Sequence, residues 1–166
     1  TRLADSWSDA KMLSSPVNED LAFFANPTKS GGLYYFNLSE LKTYYAPNVD
    51  GEFSEVQKVE IERGHHAFIL PNSDYLVVTY RSDQEDTRRD NDIYVYFRNV
   101  DGTWSKPINL GAKINSGFSE KTPTISPDGK YLFFGRDERA TEPGLANIYW
   151  VSTEVITTLR SKQRRQ

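Results

Sequence analysis

Along this chain, short runs with an apolar residue at every second position are broken by clusters of Gly, Pro, Asn and Asp. That is the rhythm of strands and turns. The clearest instance begins at Thr122. Small polar and apolar residues alternate to Ser126; Pro127-Asp-Gly129 then supplies a preset φ, a side chain able to bond its own backbone and a residue free to take φ > 0. Tyr131-Leu-Phe-Phe134 resumes an aromatic strand, and Ile148-Tyr-Trp-Val151 is another. Helical spacing emerges only near the end. Over about 153–160, Val155, Ile156 and Leu159 share a face behind a Ser152 or Thr153 cap, with Arg160 in the last turn. Ser39-Glu-Leu-Lys42 is a weaker, cap-like start.

The pattern repeats. Asp101-Gly-Thr-Trp-Ser105 is echoed by Asp50-Gly-Glu-Phe-Ser54, Pro127-Asp-Gly-Lys-Tyr-Leu132 by Pro71-Asn-Ser-Asp-Tyr-Leu76, and Asn147-Ile-Tyr149 by Asp92-Ile-Tyr94. Landmarks that recur about 50 to 56 residues apart are the signature of a stacked or radial array of like units. A fainter copy opens the chain, Ser15-Pro-Val-Asn18 running to Phe23-Phe24, with Val17-Asn18 in place of Asp-Gly. The resulting expectation is an all-β chain of about eleven or twelve strands in three four-stranded antiparallel units. The first unit has strands at about 9–15, 20–26, 32–38 and 52–60. The second has them at about 64–70, 74–80, 92–98 and 103–110, and the third at about 120–126, 130–136 and 146–152, with its outer strand missing. The run Asp5-Ser-Trp-Ser-Asp-Ala-Lys-Met-Leu13 matches Gly102-Thr-Trp-Ser-Lys-Pro-Ile-Asn-Leu110, so it fits an orphan outer strand equally well. Phe23, Tyr35, Leu76, Val78, Ile93, Val95, Leu132, Phe134, Ile148 and Trp150 are the expected core between units.

A Ser-Pro-Asp-Gly-Lys turn between two strands, with an Ile-Tyr strand to follow, resembles the TolB-like β-propeller repeat. The resemblance covers nearly the whole chain and implies a single partial propeller domain over 1–166, with blades at about 9–60, 64–110 and 120–152. Closed propellers have about four to eight blades. Three leave open sheet faces, so the resemblance implies either a homo-oligomer or further upstream blades. In that family a short helix commonly closes the chain, which implies that Gln166 lies at or near a C-terminus. The family also implies an exported, periplasmic protein that serves as a rigid platform for protein or glycan ligands. The other reading is an accessory or catalytic propeller of a hydrolase, gating a peptidase or acting like a glycosidase. The chain begins at Thr1, so removal of a signal peptide or of any other upstream segment is open.

Composition trims these options. The chain has 166 residues, enough for a sizeable core, and 13% of them are aromatic, in keeping with many half-buried strands. It has no Cys, hence no disulfide, no thiolate zinc site and no thiol nucleophile. A net charge of −3 argues against a general nucleic-acid surface, and the basic tail from Arg160 onward reads as a solvated end. No apolar run approaches the roughly 20 residues of a membrane span.

Candidate chemistry is sparse, and neither a cofactor motif nor a nucleophile elbow stands out. Pro27-Thr-Lys-Ser-Gly-Gly32 has the composition of a phosphate loop without its spacing or following helix, and reads as a hairpin turn. Asp83, Glu85, Asp86, Asp90 and Asp92 lack the order of a calcium loop and are interrupted by Arg88-Arg89, so they read as a solvated connection. Asp101-Gly-Thr-Trp104 is similar to part of the sialidase Asp-box but lacks its leading Ser, and reads as a turn with a packing Trp. The only two histidines, His65 and His66, are adjacent. On a regular strand they point to opposite faces and do not share a metal. Gly64-His65-His66 aligns with Glu120-Lys121-Thr122 at the start of an inner strand. The expected recognition surface combines those strand starts with the loops 82–91 and 137–146 and uses Arg63, His65, His66, Arg81, Glu120, Lys121 and Arg136. Their mixed charge suits a polypeptide or glycan better than a polyphosphate.

Overall fold

A computed structural model describes residues 5–13, 15–69, 74–81, 90–138 and 146–163. The chain is all-β with one short C-terminal helix. Its strands are β1 (Ala22–Pro27), β2 (Leu33–Asn37), β3 (Lys42–Ala46), β4 (Asn48–Val49), β5 (Glu52–Phe53), β6 (Gln57–Lys58) and β7 (His65–Ile69). There follow β8 (Tyr75–Arg81), β9 (Asn91–Phe97), β10 (Ile108–Asn109), β11 (Ser119–Ile125), β12 (Tyr131–Asp137), β13 (Asn147–Ser152) and the helix α1 (Glu154–Gln163). Three antiparallel meanders carry the fold: sheet 1 in the order β1-β2-β3-β6, sheet 2 in the order β7-β8-β9-β10, and sheet 3 as β11-β12-β13, one strand short as its sequence implies. The small hairpin β4–β5 sits between the third and fourth strands of sheet 1. Sheet 2 has its counterpart in the turn closed by the Arg98↔Trp104 bridge. The Asp-Gly echo is this turn: Gly51 and Gly102 stand at φ 91° and 86° in the two copies.

The three sheets are stacked in chain order. Leu76, Val78, Tyr94 and Tyr96 of sheet 2 pack with Ala67 and Ile69, and with Tyr34 and Tyr45 of sheet 1. The opposite face of sheet 2, Val77, Ile93, Val95 and Phe97, packs on Ile125, Leu132 and Phe134 of sheet 3 and on Ile156 of the helix. Burial on both faces explains why β8 and β9 read as near-continuous apolar runs. The first strand of each sheet carries a β-bulge at the same place. The register slips between Phe23 and Asn26, between His65 and Phe68, and between Lys121 and Thr124. The residue inside each bulge, Phe24, His66 and Thr122, takes a positive φ of 54°, 52° and 48°.

The helix is capped at Ser152, whose Oγ accepts from the Glu154 amide (3.3 Å), and Thr153 ties its start to the 127–130 turn by donating to the Gly129 carbonyl at 2.7 Å. At its far end Arg160 pairs with Asp74 and lies over the Phe97 ring. The helix runs three residues beyond the expected 160. Among the described residues no helix is long and apolar enough to cross a membrane.

Sheet 1 departs from the expected register. Residues 9–13 form no strand, and Phe23-Phe24 lie on the first strand rather than the second. The hairpin turn is not Pro16-Val-Asn18 but the Gly-rich loop, closed by the Gly31 amide on the Thr28 carbonyl at 3.1 Å and the Thr28 amide on the Gly32 carbonyl at 2.8 Å. By the register around the shared bulge, Leu33-Tyr-Tyr-Phe36 is thus the counterpart of Leu132-Phe-Phe-Gly135 and of Leu76-Val-Val-Thr79. The third strand, Lys42–Ala46, lies in a stretch read as connection. Asn37 makes it one by turning the chain: its Oδ1 accepts from the Ser39 and Glu40 amides, both at 2.9 Å, where a helix start had been the expectation. The strand total is thirteen among the described residues. Seven of the ten expected core residues are buried, whereas Phe23, Ile148 and Trp150 are 48%, 74% and 65% exposed. The latter two lie on the face of sheet 3 turned away from sheet 2.

Candidate recognition cleft at the start of the second sheet

The bulge of β7 brings together what an ideal strand would separate. Gly64 enters it at φ 121°, and a Cβ there would lie 2.6 Å from Val78 Cγ2, so only glycine fits. With His66 at φ 52°, the two imidazoles lie on one side, ring centroids 4.9 Å apart and edge to face. The opposite-face expectation for this pair therefore fails, because the strand is not regular where they sit. Phe23, Phe24 and Phe36 surround His66 with ring centroids at 5.5, 5.4 and 5.9 Å. Burial pushes the His66 pKa down to about 4, with neighbouring His65 adding to the effect, and lowers that of His65. Both rings are neutral at pH 7.

These residues line an open cleft of about 500 Å³ between sheets 1 and 2. Its walls are Phe36, Leu41 and Thr43 from sheet 1, Ile61 to His66 from the entry to β7, and Tyr80 from β8. Arg63 lies over the Tyr80 ring at 5.1 Å and pairs with Glu62 at 3.2 Å. Its backbone is fixed by Tyr96, whose hydroxyl donates to the Arg63 carbonyl (2.6 Å) and accepts from the Arg63 amide (3.0 Å). Burial raises the Tyr96 pKa to about 12, so that hydroxyl keeps its proton. Two buried side-chain polar atoms have no hydrogen-bond partner among the described residues, Thr43 Oγ1 and His66 Nδ1. Both belong to residues of this cleft.

A larger cavity, about 610 Å³, opens at the other end of the first strands between Pro27, Ile69, Ile125 and Thr153. Several of its polar groups are occupied internally. Asp128 accepts from Ser126 and pairs with Lys130, Thr153 donates to Gly129, and Asp74 pairs with Arg160. The His65–His66 cleft is therefore the stronger candidate.

The seven residues expected at the site fall into groups. Arg63, His65 and His66 share the cleft. Glu120 and Arg136 form a buried pair at 2.8 Å (Glu120 is 0% exposed) whose remaining bonds go to Ser116 and to the Ile114 carbonyl. Arg136 also stacks on Tyr149 at 4.4 Å. That network locks β11, β12 and the 111–116 turn together. Lys121 is exposed and pairs with Asp137 at 3.8 Å, and Arg81 stands exposed at the end of β8 opposite Asn91. The two regions meet where the Thr122 amide donates to Thr79 Oγ1 (3.1 Å), since Thr79 is the partner of His65 across the sheet. Residues 82–89 and 139–145 of the expected site loops, with Asp83, Glu85 and Asp86, lie outside the described residues. Sequence reasoning missed Phe36, Leu41, Thr43 and Tyr80. The first three were hidden by the misplaced register of sheet 1, although the alternation of Lys42-Thr-Tyr-Tyr-Ala46 was itself a strand signal.

Among the described residues no three His, Cys, Asp or Glu side chains gather as a metal site. The arrangement offers an aromatic and aliphatic floor, a neutral imidazole with a buried nitrogen to satisfy, a hydroxyl, and the charges of Lys42, Glu62 and Arg63 at the rim. Compared with protein-family models and with curated proteins, the chain matches none.

Proposed function

We propose that this chain is a non-catalytic recognition module whose sheets are blades of a TolB-like β-propeller, binding a polypeptide or glycan at the His65–His66 cleft. The observation that carries this reading is an open cleft with an aromatic floor, lined by Thr43 and His66, whose buried Oγ1 and Nδ1 have no hydrogen-bond partner among the described residues. Such unmet polar atoms beside apolar surface suit a ligand that presents both, as a sugar ring or a tyrosine-bearing peptide does. The bulge repeated on each first strand supports the blade reading. An exported, periplasmic setting belongs to the same reading.

The two histidines of the chain are convenient reporters. Chitotetraose, maltotetraose and a set of tyrosine-containing pentapeptides are to be titrated while the imidazole resonances are followed by NMR. A saturable shift of the His66 signals with one probe class, weakened at least tenfold by Thr43→Val or Arg63→Ala, is the expected result. Binding that leaves both histidines unshifted places the site elsewhere.

A further inference from the structure

We propose that sheet 3 is completed in trans, residues 5–13 of a second copy of this chain adding as a fourth strand along β13. The proposal rests on the blade reading of the sheets and is independent of what the cleft binds.

Sheet 2 supplies the template. Its fourth strand, β10, pairs Ile108 with Val95 and Asn109 with Tyr94. Ser105 fastens one end, its amide donating to the Phe97 carbonyl (2.8 Å) and its Oγ accepting from the Phe97 amide (3.0 Å). The Leu110 amide fastens the other, donating to the Ile93 carbonyl at 3.1 Å, and the Leu110 side chain enters the core. Trp104 stacks on Arg98 at 4.5 Å. Sheet 3 has the matching third strand but, among the described residues, β13 pairs with β12 alone.

The missing strand has a matching sequence in the chain. Trp7, Ser8 and Leu13 stand at the offsets of Trp104, Ser105 and Leu110. In the structure, residues 5–13 belong to none of the thirteen strands, although Trp7 takes part in an isolated bridge, and Trp7, Met12 and Leu13 are 75%, 89% and 38% exposed. Transferring the register of sheet 2 sets Lys11 opposite Trp150, Met12 opposite Tyr149, and the Leu13 amide on the Ile148 carbonyl. The recipient is a second copy because residues 5–13 lead into sheet 1, and sheet 2 stands between sheet 1 and sheet 3. Beside that edge, the outer face of sheet 3 shows Tyr131, Phe133, Ile148 and Trp150. Their counterparts by register, Tyr75, Val77, Ile93 and Val95, are the residues of sheet 2 that receive sheet 3. An exchange of strands between two three-sheet copies gives six sheets, within the range of about four to eight at which such rings close.

The test uses the full chain and a variant carrying Trp7→Asp and Leu13→Asp, whose retained fold is checked by circular dichroism. Light scattering over a wide concentration range is expected to give twice the chain mass for the first and a single chain mass for the second. Amide exchange at Ile148 and Trp150, the β13 positions that face the added strand, is expected to quicken on the order of tenfold or more in the variant. A synthetic peptide of residues 5–13 should restore slow exchange to those amides. A full chain of single mass with fast exchange there overturns the proposal. So does a double mass that survives both substitutions.

Discussion

The two end sheets share a meander and a bulge, yet they finish differently. Sheet 1 turns its outer face, Leu33, Tyr35 and Ala46, into a third small core by folding Val17, Phe53 and Val56 over it. Sheet 3 leaves its own outward face open, with Phe133, Ile148 and Trp150 exposed, although by register this is the side that sheet 1, through Tyr34, turns towards sheet 2. The difference lies in the connections rather than in the strands. Sheet 1 has a segment before it and the β4–β5 hairpin after its third strand, whereas β13 runs straight into the helix, which folds back over the seam with sheet 2. An apolar strand pattern therefore marks a face to be covered and does not say by what.

The comparison breaks most readily at the inner face of sheet 3. Phe134, 4% exposed, packs against sheet 2, and Phe134→Ala should lower the unfolding free energy by about 3–5 kcal/mol in urea titrations. A loss below about 1 kcal/mol would mean that sheet 3 is not docked on sheet 2 in solution. On the capped face of sheet 1, Leu33→Ala is expected to cost about 2–4 kcal/mol. A near-neutral result there would erase the distinction between the two ends. At the seam of sheets 1 and 2, Gly64→Ala introduces a Cβ against Val78 at a positive φ and should cost about 1–3 kcal/mol, with the imidazole resonances of His65 and His66 moving as the bulge shifts.

The same seam predicts a pH dependence. His66 is held neutral in the fold, with its pKa lowered from 6.5 to about 4. Between those values the unfolded chain binds the extra proton, so stability rises with pH across the window. The contribution is fully present above about 6.5, is lost progressively as pH falls towards 4, and is constant below that. Denaturation midpoints measured at pH 7 and pH 5 should differ more for the parent than for His66→Phe. Equal differences would remove His66 from the account. The smallest effect belongs to the open face: Trp150→Ser should change the stability of a single copy by less than about 0.5 kcal/mol. A large loss would show that this face is already covered within one chain.

Sheets 2 and 3 were legible because their turns carry Pro, Asp and Gly at fixed offsets before Tyr-Leu, and because burial on both sides writes itself as an unbroken apolar run. Sheet 1 was legible only in part: Pro27-Thr-Lys-Ser-Gly-Gly32 reads as the hairpin turn that it is, but Pro16-Val-Asn18 imitates a turn that forms no hairpin and so displaces the strand order. The cleft was half legible. His65 and His66 drew notice as the only histidines, but their meeting on one side depends on a bulge that pattern alone does not announce. Glu120 and Arg136 looked like surface charges because alternation says nothing of a partner sixteen positions away.

The three bulges hold one further lesson. Phe24, His66 and Thr122 occupy one backbone geometry in three sheets, and the scaffold tolerates a hydrocarbon ring, an imidazole or a hydroxyl there. Chemistry and architecture are thus uncoupled at these positions: a side chain is exchanged at constant main-chain shape, and the neighbouring bulge stands a single ring contact away, 5.4 Å from Phe24 to His66. A molecule built this way acquires a new specificity by substitution at a socket it already possesses, three times over, without first evolving a loop.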